Sequence, residues 1–154
     1  MQTRVTVAGH SHGIVAHRFS EPLRDRAGPN MTIASRATGQ KGEQLAQNIY
    51  LRQGFRIEAL NWRAGRSGEI DVIAFHPAKR ILAFVEVKTR RSADYGHPFE
   101  AVGPRKQGQL HRLAEAYLAS RPLADDVQLR FDVVGIYYPG QGKPAEISHL
   151  ENAF

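Results

Sequence analysis

From residue 38 onward, apolar and polar residues recur with two distinct periods, and the switches between them mark the elements. Leu45, Ala46, Ile49 and Tyr50 fall on one helical face. They predict a helix from Thr38 or Gly39 to about Gln53, with Gly54 as a left-handed C-cap. Phe55, Ile57 and Ala59 then alternate toward Trp62 as a strand, and 64–68 reads as a loop. Gly68–Phe75 and Phe84–Lys88 each alternate with period 2. The short His76-Pro77-Ala78-Lys79-Arg80 between them is turn-like, so the two runs are expected to pair as antiparallel neighbours. Thr89 to Gly103 is a long polar connection containing Tyr95-Gly96-His97-Pro98-Phe99. Leu110, Leu113, Ala114, Tyr117 and Leu118 then predict a second helix over about Arg105 to Ser120, stopped by Arg121-Pro122. Gln128–Tyr138 is the strongest β segment, and a short strand near Ile147 follows the Pro139–Pro144 turn.

The resulting order, α-β-β-β-α-β-β, predicts an α/β domain over 39–154 with a mixed sheet and a helix on each side. Residues 1–38 show no sustained period beyond Thr3–Ala8. Their mixture of Gly, Ser, His, Arg and Pro is that of a flexible, disordered extension, and Met31 is a second candidate start. His10, His12 and His17 have nothing nearby to fix their geometry and are read as solvated.

The chemistry concentrates in 68–88. By side-chain parity, Glu69, Asp71 and Ile73 share one face of the first strand of the pair, and Glu86 and Lys88 share one face of the second. Paired strands lie about 4.8 Å apart, so Asp71 and Glu86 would come within reach of one cation if the two sets face the same side. Hard cations such as Mg²⁺ take oxygen ligands, typically one or two carboxylates plus water and substrate phosphate. Lys88 would orient or help deprotonate an attacking water, or neutralise charge developing on phosphorus. Glu43 completes the ligand set if the first helix packs across the sheet. Such a set suits phosphodiester hydrolysis. The competing reading is a cross-strand ion-pair network on a solvated face, with Glu69 a surface group and Glu43 an ordinary first-turn acid.

Composition narrows the classes. A chain of 154 residues is one domain's worth, burying roughly 70% of its unfolded surface. It has no cysteine, which excludes disulfides and thiolate metal sites. No apolar run approaches the roughly 18 residues of a membrane span, and the N-terminus lacks the apolar core of a secretion signal. A soluble, cytoplasmic protein is expected. The net charge is +6, but five arginines against two acids in 1–38 supply half of it. The rest has 16 basic and 13 acidic residues. What favours nucleic acid is clustering: Arg63, Arg66, Lys88, Arg90 and Arg91 crowd around the carboxylates.

Several stretches carry a family resemblance: Gly42-Glu43, Gly-Glu-Ile-Asp-Val-Ile-Ala at 68–74 and Phe-Val-Glu-Val-Lys-Thr-Arg at 84–90. Ala101-Val102 before Lys106, Ala116-Tyr117-Leu118, Phe131-Asp132-Val133-Val134, His149 and Asn152-Ala153-Phe154 follow in order. Over about 39–154 the chain resembles the YraN family of bacteria, which is similar in fold to the PD-(D/E)XK nucleases and archaeal Holliday-junction resolvases. The resemblance implies a restriction-endonuclease-like α-β-β-β-α-β core. It also implies a Mg²⁺- or Mn²⁺-dependent endodeoxyribonuclease site made of Glu43, Asp71, Glu86 and Lys88. The Val87 carbonyl is an implied further metal ligand beside Asp71, Glu86 and Glu43. A polar residue of the second helix facing the site is also implied; Lys106, Gln107 and His111 all qualify. Arg66, Arg90 and Arg91, with Lys106 and Gln107, are the expected phosphate contacts on DNA. His97 and His149 are read as structural or exposed. Resolvases of this fold work as dimers, because two strands are cut symmetrically, so a homodimer is one implied assembly. A nucleic-acid-binding module with little activity alone, and a hydrolase of small phosphate esters, are the alternatives.

Overall fold

The computed structural model describes residues 14–18, 31–91, 102–140 and 142–154. In chain order the elements are β1 (Ile14–Arg18), α1 (Met31–Arg52), β2 (Arg56–Arg63), β3 (Glu69–His76), β4 (Ile81–Arg90), α2 (Pro104–Ser120), β5 (Gln128–Tyr137) and β6 (Glu146–Leu150). The strands form one six-stranded mixed sheet in the order β1-β6-β5-β4-β3-β2. Only β4 and β5 run parallel, and α2 is the crossover between them, as a parallel pair requires. From α1 to β5 the order is the α-β-β-β-α-β of a restriction-endonuclease-like core.

The two helices cover opposite faces of the sheet. Ala46, Ile49 and Tyr50 of α1 pack on Val72, Ala74, Ala83, Val85, Val134 and Ile136. Leu110, Leu113, Ala114 and Tyr117 of α2 pack on Ile73, Leu82, Phe84, Phe131 and Val133. Alternate residues of β4 and β5 thus feed alternate cores, which is why these central strands read as nearly continuous apolar runs. The expected hairpin is tight: β3 and β4 pair from His76↔Ile81 onward, and Arg80 turns the corner at a φ of 55°. Among the described residues no helix is long and apolar enough to cross a membrane.

Two expectations about residues 1–38 are corrected. The first helix begins at Met31, not at Thr38 or Gly39, and Gly39 lies inside it. An interior glycine costs about 1 kcal/mol, yet propagation from an established turn adds one hydrogen bond per residue, so one glycine does not end the helix. In addition, Ile14–Arg18 is not without regular structure. It pairs antiparallel with β6 from Ile14↔Leu150 to Arg18↔Glu146. The outer edge of β6 offers unpaired backbone groups, and no local pattern in 1–38 announces that partner. His97 and most of the Thr89–Gly103 connection fall outside the described residues.

Candidate active site

The site begins where two strands part. The β3–β4 ladder runs from His76↔Ile81 to Val72↔Val85 and stops there. Beyond it Val87 has no β3 residue opposite, and the Asp71 carboxylate takes the place of one: its Oδ2 accepts the Val87 N–H at 2.7 Å. In a strand the N–H and C=O of one residue point to the same side, so the Val87 carbonyl also faces this gap. Glu86 shares parity with Leu82 and Phe84 and lies on the α2 side, only 3% exposed. Lys88, two residues on, donates from Nζ to Glu86 Oε1 at 2.6 Å. Lys106 comes from the first turn of α2, one helical turn before the buried Leu110, and sets its Nζ 2.9 Å from Glu86 Oε2. That distance makes an ion pair, but the angle makes no hydrogen bond, so Oε2 is buried without one.

Around these groups lies an open cleft of about 670 Å³. It is lined by Thr38, Gly39 and Glu43 of α1, Glu69 and Asp71 of β3, Glu86 through Arg91, and Lys106 of α2. Gly42 lets α1 come this close: a Cβ there would lie 2.1 Å from Thr89 Oγ1 and 3.4 Å from Ile136 Cδ1. Glu43 follows Gly42 and accepts a hydrogen bond from Asn61 Nδ2 at 3.1 Å. Because α1 starts at Met31, Glu43 sits well inside the helix and is not a first-turn acid. Glu69 is paired with Arg63, and Arg91 donates to Thr38 Oγ1.

Negative charge is confined here at a cost. Burial, and then the neighbouring Glu86, push the Asp71 carboxyl up to about 7, although the Val87 N–H and Lys106 pull it down. Glu43 is raised as well, by burial and then by Glu69. Carboxylates that resist ionisation in a cleft mark a place prepared for added positive charge.

Of the residues singled out in the sequence, Glu43, Asp71, Glu86, Val87, Lys88, Arg90, Arg91 and Lys106 line this single cleft. Gln107 does not, because its amide turns back to the Val102 carbonyl at 2.9 Å. Arg66 is exposed in the loop before β3 and is not part of the lining. His111 packs its ring 4.3 Å from that of Phe131 and 5.6 Å from that of Phe154, so among the three α2 candidates only Lys106 faces the site. His149 is fully buried in a network with Tyr50 and Asp132, on the α1 side of the sheet. Sequence reasoning missed Thr38, Thr89 and Asn61. The first two are small polar residues without a pattern, and Asn61 was hidden inside a strand.

Fold and cleft together define an α/β protein with an acid–lysine site at the open end of a mixed sheet. The chain belongs to the uncharacterised protein family UPF0102, the YraN family, which it matches over residues 42–136. That span holds Glu43, Asp71, Glu86, Lys88 and Lys106. Bacterial members are similar across most of both chains. A UPF0102 protein of Pelobacter propionicus is 43% identical over 120 residues, 78% of this chain and 84% of that protein. One from Syntrophotalea carbinolica is 45% identical over 124 residues, 80% of this chain and 96% of that protein. One from Desulforamulus reducens is 37% identical over 123 residues, 80% of this chain and 99% of that protein.

Proposed function

We propose that this protein is a metal-dependent endonuclease that hydrolyses phosphodiester bonds of DNA, with branched or damaged DNA among its substrates. One observation carries the reading: Asp71, the buried Glu86 and Lys88 meet in an open cleft whose rim carries Arg90, Arg91 and Lys106. The donor set fits a hard divalent cation. Among the described residues no three Asp, Glu or His side chains gather into a complete cage. Mg²⁺ and Mn²⁺ do not need one, since one or two carboxylates, a carbonyl, water and substrate phosphate suffice. Asp71, Glu86 and the Val87 carbonyl would be the ligands, with Glu43 at the edge of the set; Glu86 Oε2, which makes no hydrogen bond but has Lys106 Nζ 2.9 Å away, would be one of the donors. Bound there, the cation supplies Lewis-acid charge to a water and to the phosphoryl oxygens.

The remaining work belongs to the chain. Asp71, anchored on the Val87 N–H, holds its carboxylate at the cleft where the scissile phosphate would lie. Lys88 Nζ, held by Glu86 Oε1 at the cleft, orients the attacking water and offsets charge on phosphorus. Arg90, Arg91 and Lys106 hold the flanking phosphates, which positions the duplex without reading bases. In-line attack by water breaks the P–O3′ bond and leaves 5′-phosphate and 3′-hydroxyl ends.

A second reading, a DNA-binding module with little activity alone, draws on a different observation: each Glu86 oxygen already has an ammonium beside it. Cleavage separates the two readings. Labelled four-way-junction, flap, single-stranded and linear duplex DNA would be incubated with Mg²⁺ or Mn²⁺ and wild-type protein, Lys88→Ala or Asp71→Ala. Folding of each variant is checked by circular dichroism. Metal-dependent cutting that falls at least about 100-fold in both folded variants supports the nuclease. Salt-sensitive binding without cutting supports the binding module, and neither cutting nor binding removes nucleic acid from the assignment.

A further inference from the structure

The two lysines on Glu86 are held differently, and that difference has a chemical meaning. Lys88 stands on the same strand two residues away and makes a 2.6 Å hydrogen bond to Oε1. Lys106 reaches across from α2, is 26% exposed, and contributes charge at 2.9 Å without hydrogen-bond geometry. A carboxylate as buried as Glu86 needs compensating charge, because an uncompensated one is expensive. Lys88 cannot supply all of it, since Asp71 adds a second acid to the same gap and Lys106 is the cation that also acts on Asp71.

We infer that Lys106 is the resident counter-ion of Glu86 and competes with the divalent cation for Oε2, leaving that oxygen when the metal loads. This deepens, and rests on, the metal-dependent reading above. An ammonium 2.9 Å from Oε2 repels a dication brought to the same oxygen, and of the two lysines Lys106 has the weaker hold, a charge contact without the hydrogen bond that ties Lys88 to Oε1. Its flexible four-carbon stem lets the charge leave without moving α2. Linkage then fixes the sign. A group that neutralises the metal-free site and must be displaced lowers metal affinity, so its removal raises affinity.

The test is Mn²⁺ binding to the full chain, without DNA, by titration calorimetry and by the loss of free Mn²⁺ signal in electron paramagnetic resonance. Lys106→Gln is expected to bind Mn²⁺ about tenfold more tightly than wild type, in the ordinary range of coupling between two ligands. Lys106→Arg, which keeps the charge, should bind no more tightly than wild type. Lys106→Met provides a second neutral side chain if the Gln variant melts early. Equal or weaker Mn²⁺ binding by the folded neutral variants overturns the counter-ion role and leaves the metal site standing. No Mn²⁺ binding at millimolar concentration by wild type or variants overturns both the role and the reading beneath it.

Discussion

Asp71 Oδ2 accepts the Val87 N–H at 2.7 Å, just beyond Val72↔Val85, where the β3–β4 ladder ends. A side chain thus replaces a strand's backbone as hydrogen-bond partner. The bond satisfies the Val87 N–H where the ladder ends, and it fixes one carboxylate beside Glu86. Fold and site share this one bond.

The charge on Asp71 opposes folding at neutral pH. Its carboxyl titrates near 7 in the folded protein against 3.8 ordinarily, because it is buried beside Glu86. Below about pH 4 the group is protonated in both states and has no effect. Between pH 4 and 7 the unfolded chain ionises while the folded one does not, so stability declines, and above 7 the loss is complete. Asp71→Asn removes this charge and can still accept the Val87 N–H. Urea midpoints at pH 5, 6, 7 and 8 should therefore show the variant gaining on wild type as pH rises, then levelling off. A gap independent of pH would mean that Asp71 does not carry the shift.

Gly42 sets the distance between α1 and β4. An added methyl meets Thr89 Oγ1 at 2.1 Å, so either the hydroxyl or the helix must move. Gly42→Ala is expected to cost about 1–3 kcal/mol, as overpacking does. Thr89→Ala removes the obstructing oxygen. In a double-mutant cycle it should recover part of that loss, giving a coupling of about 0.5–3 kcal/mol. Additive costs in urea denaturation would show that the helix gives way elsewhere.

What could be read in advance was whatever is local. Helical and strand periods fixed α2, β3, β4 and β5 to within a residue or three, because those segments each have one buried face or two. Parity and a short turn brought Asp71 toward Glu86. The pairing of Ile14–Arg18 with β6 was not legible, since its partner lies at the other end of the chain. Nor could Lys106 be separated from Gln107 and His111: the rotation of α2 about its axis decides, and that rotation comes from the packing of Leu110, Leu113 and Tyr117 on the sheet. Asp132 did leave a signal, as the lone acid within the apolar run Phe131–Ile136.

That acid anchors a second buried polar cluster. Tyr50 donates to Asp132 Oδ2 at 2.6 Å and sits 2.9 Å from His149 Nε2, while Arg130 and the Asn152 N–H also donate to Asp132. His149 Nε2 faces both the Tyr50 oxygen and, at 3.5 Å, Asp132 Oδ2, while its Nδ1 is buried without a hydrogen-bond partner. Burial alone would raise the Asp132 carboxyl; the donors His149, Arg130, Tyr50 and Asn152 outweigh it and hold it below 3.8. Its contribution is therefore present above pH 4 and lost as pH falls through the lowered value. Tyr50→Phe should cost about 1.5–3 kcal/mol at pH 7, the usual worth of a bond to a charged group. In urea denaturation that cost should shrink on acidification below pH 4, and a cost constant down to pH 2 would deny Asp132 its role.

A strained residue lies beside the cleft. Asn61 has a φ of 48°, left-handed backbone in the middle of β2, and uses its side chain to hold Glu43. Asparagine tolerates that conformation, alanine does so poorly, and glycine does so freely. Two variants therefore separate backbone from side chain. Both lose the amide that holds Glu43, but Asn61→Ala also bears the steric penalty of the left-handed region, about 1–2 kcal/mol, which Asn61→Gly escapes. Urea midpoints should place glycine above alanine, against the usual order for a strand interior. If the midpoints follow the ordinary order instead, β2 has relaxed to extended backbone at this position. If glycine matches wild type in stability while weakening Mn²⁺ binding, the hydrogen bond to Glu43 serves the site rather than the fold.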